Sequence, residues 1–145
     1  MTGVQTCALP IFTAQPASSI CLWYDYRGVD PLIEREMLIA EWQSGFHGWF
    51  LMLDNGAQTI AFTPSTLFGS TINTGANTIT SNEWTHVCAT FQGNTFTRLY
   101  INGVMITEDT TGIPATIHKG SLPLRIASQQ FGHQFNGPLD DVHTH

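Results

Sequence analysis

An all-β protein of the sandwich or barrel kind is what the sequence predicts, on three observations. Short apolar and β-branched segments recur at roughly 8–12-residue intervals between clusters of Gly, Pro, Asn and Ser. Asp, Glu, Lys and Arg make up 11% of the chain, against roughly 25% in an average soluble protein, and Thr, Ser, Asn, Gln and Gly fill the polar positions. Asn102-Gly103 joins two β-rich runs, and both residues tolerate the positive φ that a tight hairpin turn demands. At 145 residues the chain is long enough for one domain with a hydrophobic core and too short for two comfortable ones.

Met1 to Ile11, MTGVQTCALPI, resembles the in-frame translation of a sequencing-library adaptor. Residues 1–17 are therefore set aside as an artefactual or disordered N-terminus. Cys7 drops out with them, leaving the pair Cys21 and Cys88. The strand candidates that follow are Ser18 to Asp25, Met37 to Gln43, Gly48 to Asp54, Gln58 to Thr63, a weak one from Thr71 to Ile79, and Trp84 to Phe91. After them come Thr97 to Ile101, Val104 to Glu108, Pro123 to Ser128 and the closing Gly137 to His145. Alternation along Trp84 to Phe91 sets Val87, Ala89 and Phe91 on one face, and Trp84, His86, Cys88 and Thr90 on the other. Both faces of that strand read as largely covered. Only Pro31 to Met37 has the makings of a helical turn, too short to be more.

Charge and hydropathy exclude several function classes. A formal charge of −6 with five Lys plus Arg leaves little to neutralise a phosphate backbone, so nucleic acid is not an expected partner. No apolar run approaches the roughly 20 residues of a membrane-spanning helix.

The succession Asn82-Glu83-Trp84-Thr85-His86-Val87-Cys88-Ala89-Thr90-Phe91, then Arg98-Leu99-Tyr100-Ile101-Asn102-Gly103, Leu124-Arg125-Ile126-Ala127 and Gly137-Pro138-Leu139-Asp140-Asp141-Val142 resembles the laminin G-like domains of the concanavalin A-like lectin/glucanase superfamily. His86-Val87-Cys88-Ala89-Thr90-Phe91 and Ile20-Cys21-Leu22 are similar to the paired-cysteine strands of pentraxins, with Phe91 where that family has Trp and Gly93 where it usually has Ser or Thr. The resemblance runs from about Ser18 to the end. It implies an antiparallel jelly-roll sandwich over residues 18–145, with its first strand missing and its last shortened. It also implies a Cys21–Cys88 disulfide between neighbouring strands, worth roughly 4 kcal/mol by loop closure; two buried free thiols are the alternative.

Pentraxins hold calcium with carboxylates, which such hard ions favour. Alignment with that family places His47 and Gly48 at one ligand loop and Ser128, Gln129, Gln130 and Phe131 at the other, so pentraxin-type calcium binding is expected to be absent, and no cofactor is expected. A weaker ion at another loop stays open. Asp140 and Asp141 are adjacent on a strand and read as pointing to opposite faces, unable to grip one ion together. His143-Thr144-His145 has zinc-compatible spacing but no third ligand, so no metal site is assigned. Glu34-Arg35-Glu36 reads as a solvated loop and not as the paired carboxylates of a retaining glycosidase. The candidate ligand contacts are Trp42 and Trp49, as rings that lie against a sugar, with His47, Gln129, Gln130 and His133 in polar loops. Core burial is the competing reading for both tryptophans.

The function the resemblance implies is non-catalytic: a glycan- or glycoprotein-recognition module in a larger secreted or surface protein, hence extracellular. A structural or protein-interaction module of an adhesin or phage fibre is the alternative. A glycoside hydrolase remnant is the third reading.

Overall fold

The computed structural model describes residues 16–28, 35–43, 47–55, 58–66, 70–118, 122–128 and 134–145, with Gln43 and His47 described by their backbone alone. Among the described residues ten strands follow in order: β1 (Ala17–Asp25), β2 (Arg35–Gln43), β3 (His47–Asp54), β4 (Thr59–Thr63), β5 (Ile72–Asn73), β6 (Trp84–Gln92), β7 (Phe96–Ile101), β8 (Val104–Asp109), β9 (Arg125–Ile126) and β10 (Leu139–Thr144). They form two five-stranded sheets, β10-β1-β6-β7-β8 and β5-β4-β3-β2-β9. All strand pairs are antiparallel. No helix occurs among the described residues, and none is long and apolar enough to cross a membrane.

The facing sides of the sheets make one core. Ile20, Leu22 and Tyr24 of β1 and Val87, Ala89 and Phe91 of β6 meet Leu38, Ile39, Trp49, Leu51, Leu53, Ile60 and Phe62 of the other sheet. Period-2 alternation delivers these residues inward from β1, β3 and β6. In β2 a bulge between Met37 and Ile39 interrupts the alternation, so Leu38 and Ile39 both enter the core. The β7–β8 hairpin turns through Asn102 (φ 49°) and Gly103 (φ 81°), as their positive-φ tolerance predicts.

Cys21 and Cys88 stand directly opposite each other on β1 and β6 and are joined by a disulfide, with Cα atoms 4.1 Å apart. The alternation of β6 is as the sequence predicts, but its outer face is only partly covered. Trp84 is 44% exposed and Trp23, diagonal to it on β1, 38%, while His86 and Cys88 are half-buried.

Three local expectations are corrected. Arg35 and Glu36 are not a solvated loop: they open β2, and Glu36 is fully buried, accepting hydrogen bonds from Asn55 Nδ2 and Asn136 N at 3.0 Å each. Of the suggested helical turn, Pro31 to Glu34 lie outside the described residues and Arg35 to Met37 are strand. Asp140 and Asp141 do not alternate across β10. The register shifts opposite Cys21 and Trp23, Asp141 takes a left-handed φ of 51°, and both carboxylates are exposed while Leu139 and Val142 pack on the core.

Candidate functional site

A groove of about 720 Å³ lies over the outer face of the second sheet, within the size range of small-ligand sites. Strand register builds its floor in rows. One row runs Arg35, Asp54, Thr59 across β2, β3 and β4; the next runs Met37, Met52, Ala61, Asn73; the third runs Ala40, Phe50, Thr63. Because cross-strand partners share a face, the polar row sits at one end and the apolar rows continue from it. Met37, Ala40, Met52 and Ala61 form a compact apolar cluster with Trp42 and Phe50 packed against it.

The wall is the 73–78 turn. Thr74 Oγ1 accepts from Ile60 N at 3.0 Å, Thr78 N donates to Gln58 O at 2.9 Å, and Thr78 Oγ1 donates to Gly75 O at 2.8 Å. Asn73 Oδ1 accepts from Gly75 N at 3.2 Å, and Gln58 Nε2 donates to Asn55 O at 2.8 Å. These bonds use backbone and side-chain groups internally and so hold the rim before a ligand arrives. Thr63 and Thr71 tie the far side of the groove through their hydroxyls, 2.7 Å apart.

The lining comprises one guanidinium (Arg35), one carboxylate (Asp54), three amides (Gln58, Asn73, Asn77), the hydroxyls of Thr59 and Thr71, and an apolar floor in which Phe50 is half-buried and Met52 and Ala61 are buried; Gln58 Nε2, Asn73 Oδ1 and the Thr71 hydroxyl each already make one internal hydrogen bond. That combination suits a ligand with polar edges and an apolar face.

Among the described residues singled out from sequence, Trp42 lies beside this chemistry. It is half-buried on the outer face, edge-to-face with the groove residue Phe50 at 6.3 Å. Trp49 points the other way: it is fully buried, with its Nε1 donating to the buried Glu41 Oε2 at 3.3 Å, and presents no ring to a ligand. His47 opens β3 opposite Gln43, its side chain outside the description. Gln129, Gln130 and His133 lie outside the described residues. Gly48, at the aligned calcium loop, is a hairpin glycine with φ of 127° whose Cβ, if present, would sit 1.9 Å from Glu41 O. Sequence reasoning missed Phe50, Met52 and Asp54, although the alternation of β3 groups these three on the face opposite Trp49, Leu51 and Leu53.

Two antiparallel five-stranded sheets enclosing one core, with a lined groove on one outer face, define a jelly-roll sandwich of the lectin-like class. The family model Laminin_G_3, described as the concanavalin A-like lectin/glucanases superfamily, matches residues 2–145. The chain belongs to that family. No curated protein sequence matches it. Among solved structures, the Ruminococcus gnavus IT-sialidase CBM40 is similar over 90% of this chain and 76% of its own, with TM-score 0.67 and 13% identity. The binding domain of Paraclostridial Mosquitocidal Protein 1 matches over 89% of this chain, with TM-score 0.65 and 20% identity. The Botulinum neurotoxin serotype D binding domain matches over 93%, with TM-score 0.56 and 17% identity. This chain spans about a third of each toxin structure, 33% and 34%. The R. gnavus module is also known bound to α2,3 sialyllactose. At these identities the likeness is one of fold.

Proposed function

We propose that this domain is a non-catalytic recognition module that takes a glycan, free or on a glycoprotein, in the groove over β2 to β5. The observation that carries the reading is the juxtaposition of an apolar floor (Phe50, Met52, Ala61) with a rim of amides, one carboxylate and one guanidinium. A pyranose has the matching surface, C–H groups on its faces and hydroxyls around its edge. The kinship of fold with a carbohydrate-binding module supports the assignment but does not supply the ligand. Among the described residues Asp54 is the one carboxylate lining the groove, whereas retaining and inverting glycosidases use two, and this supports a binding role. Placement in a larger secreted or surface protein, outside the cell, is part of the same proposal and accords with the disulfide.

The test is a glycan array probed with the labelled chain, followed by calorimetric titration of any ligand retained. Phe50→Ala should weaken binding about tenfold, or about 1.4 kcal/mol, without changing the thermal midpoint by more than a few degrees. Retention of no glycan, or equal affinity in Phe50→Ala, would remove the proposal. The rival reading, a protein-interaction module, rests on β8, a strand at the end of its sheet order that carries the exposed Val104, Met105 and Ile106. Loss of a protein partner on Ile106→Lys, with glycan binding absent, would favour it.

A further inference from the structure

The disulfide lies beside an imidazole that the binding role does not use. His86 precedes Cys88 by two residues on β6, so alternation brings its ring to the same outer face, and Cys21 faces Cys88 across the β1–β6 register. The His86 ring nitrogen and the two sulfurs lie within 4.8 Å of one another, and all three side chains are half-exposed. Trp23 packs on the His86 ring, centroids 5.0 Å apart, and restricts its rotation.

We propose that the dithiol form of the chain binds a thiophilic divalent ion of the zinc class through Cys21, Cys88 and His86, so that metal binding and the disulfide are alternative fates of the same two sulfurs. Tetrahedral zinc with bonds of about 2.0–2.3 Å holds its donors about 3.3–3.8 Å apart. From the bonded arrangement, with sulfurs about 2 Å apart, that spacing is reached when the bond opens and side-chain rotation parts the two sulfurs by nearly 2 Å and brings the imidazole nitrogen up to them, with no change in strand register. Thiolate sulfur and imidazole nitrogen are the donors zinc favours, and three protein ligands leave the fourth position to solvent. His143 stands across from Cys21 on β10 but is engaged with Asp141, so it is not counted as a donor.

Every chain is made as a dithiol, so the metal-bound form precedes the bridge. A small-molecule disulfide then converts one into the other. The two thiolates give up two electrons and form the Cys21–Cys88 bond, the oxidant's S–S bond accepts them and breaks into two thiolates, and the ion is released. Bound metal should therefore slow bridge formation.

The experiment uses the full chain carrying Cys7→Ser, reduced with a phosphine under anaerobic conditions and titrated with Co²⁺. One equivalent should produce the thiolate charge-transfer and tetrahedral ligand-field absorption, which added Zn²⁺ should discharge. His86→Asn, which keeps both thiols, should weaken Co²⁺ binding about tenfold or more and alter the ligand-field bands. Zn²⁺ should slow oxidation by glutathione disulfide at least severalfold in the parent and much less in His86→Asn. Circular dichroism of the reduced chain monitors the sheets. A reduced, folded chain without thiolate–cobalt absorption overturns the proposal, as does a His86→Asn spectrum and affinity equal to the parent's. A reduced chain that has lost its β-sheet signal and binds no cobalt overturns it too, because the donors come from two strands held in register.

Discussion

Removing the Cys21–Cys88 bridge should cost about 4 kcal/mol, and the way it does so is diagnostic. The two cysteines are 67 residues apart in sequence. Loop-closure entropy of roughly −2.1 − 1.5R ln n cal/mol/K for a loop of this length amounts to about 4 kcal/mol at 25 °C. The side chains are half-exposed on the outer face, so truncation to Ala leaves little cavity and the entropic contribution dominates. Urea unfolding followed by tryptophan fluorescence, with the buried Trp49 as reporter, should show it. At a slope of about 2 kcal/mol per molar urea, Cys21→Ala/Cys88→Ala should unfold about 2 M earlier than the parent. Each single variant should lose nearly as much as the double, since either substitution abolishes the one bond; the pair is strongly non-additive. Reduction of the parent in metal-free buffer should reproduce the shift. A double variant within about 0.5 M of the parent, or single losses that sum to the double's, would refute the reasoning.

Gly48→Ala should be severely destabilising, by about 3 kcal/mol or more: its φ of 127° is closed to L side chains and the new methyl would meet Glu41 O at 1.9 Å. A thermal melt measures it, and an unchanged midpoint would show the β2–β3 hairpin to be built otherwise. Glu36→Ala strands the donors Asn55 Nδ2 and Asn136 N, and should cost about 2–4 kcal/mol by urea titration. Burial, opposed by the Thr85 side chain and reinforced by the charge of Glu83, pushes the Tyr24 hydroxyl up to about 12 from 10.0. The folded state thus holds this proton more tightly than the unfolded state, its contribution is intact below pH 10, and about 2–3 kcal/mol should be lost as pH rises from 10 to 12. Tyr24→Phe should flatten that alkaline decline, read from urea midpoints across the pH range.

Much of the fold is legible because its signals are local. The Asn102-Gly103 turn and the alternation of Trp84 to Phe91 depend on neighbours in sequence, and both are found as expected. The pairing of Cys21 with Cys88 is different in kind. Spacing could not supply it, and the family resemblance did. What escaped is non-local. A strand as apolar as Trp49-Phe50-Leu51-Met52-Leu53 does not declare which face is solvent, so the ring of Trp49 was a ligand candidate while that of Phe50, which lines the groove, was not. Glu36 reads as surface because a lone carboxylate is costly to bury; its partners Asn55 and Asn136 are 19 and 100 residues away. Bulges in β2 and β10 shift the facing of Leu38, Ile39 and Asp141, and nothing in the periodicity marks them. β9, with two residues, owes its pairing to β2 rather than to its own run.

The two outer faces of the sandwich differ in what they can do, and the difference follows from sheet composition. The inner faces already hold the large apolar residues that the core requires, so Phe50, Met52, Met37 and Ala61 on the outside of the second sheet are additional to it. Placing apolar side chains outside costs solvation unless something covers them. Here Gln58 and the 73–78 turn rise beside them and leave a depression lined on both counts, apolar below and hydrogen-bonding around. The opposite outer face, that of the sheet β10-β1-β6-β7-β8, carries a different set of groups. It carries the exposed indoles of Trp23 and Trp84 together with the Cys21–Cys88 bond and His86, on whose ring Trp23 packs. The groove proposed for ligand and the Cys21, Cys88 and His86 cluster therefore sit on opposite faces, with the core between them. Losing the bridge should lower the temperature at which the groove survives without altering the contacts inside it, so a bridge-free variant that, when cold, binds a glycan retained by the parent with the parent's affinity would separate scaffold from site.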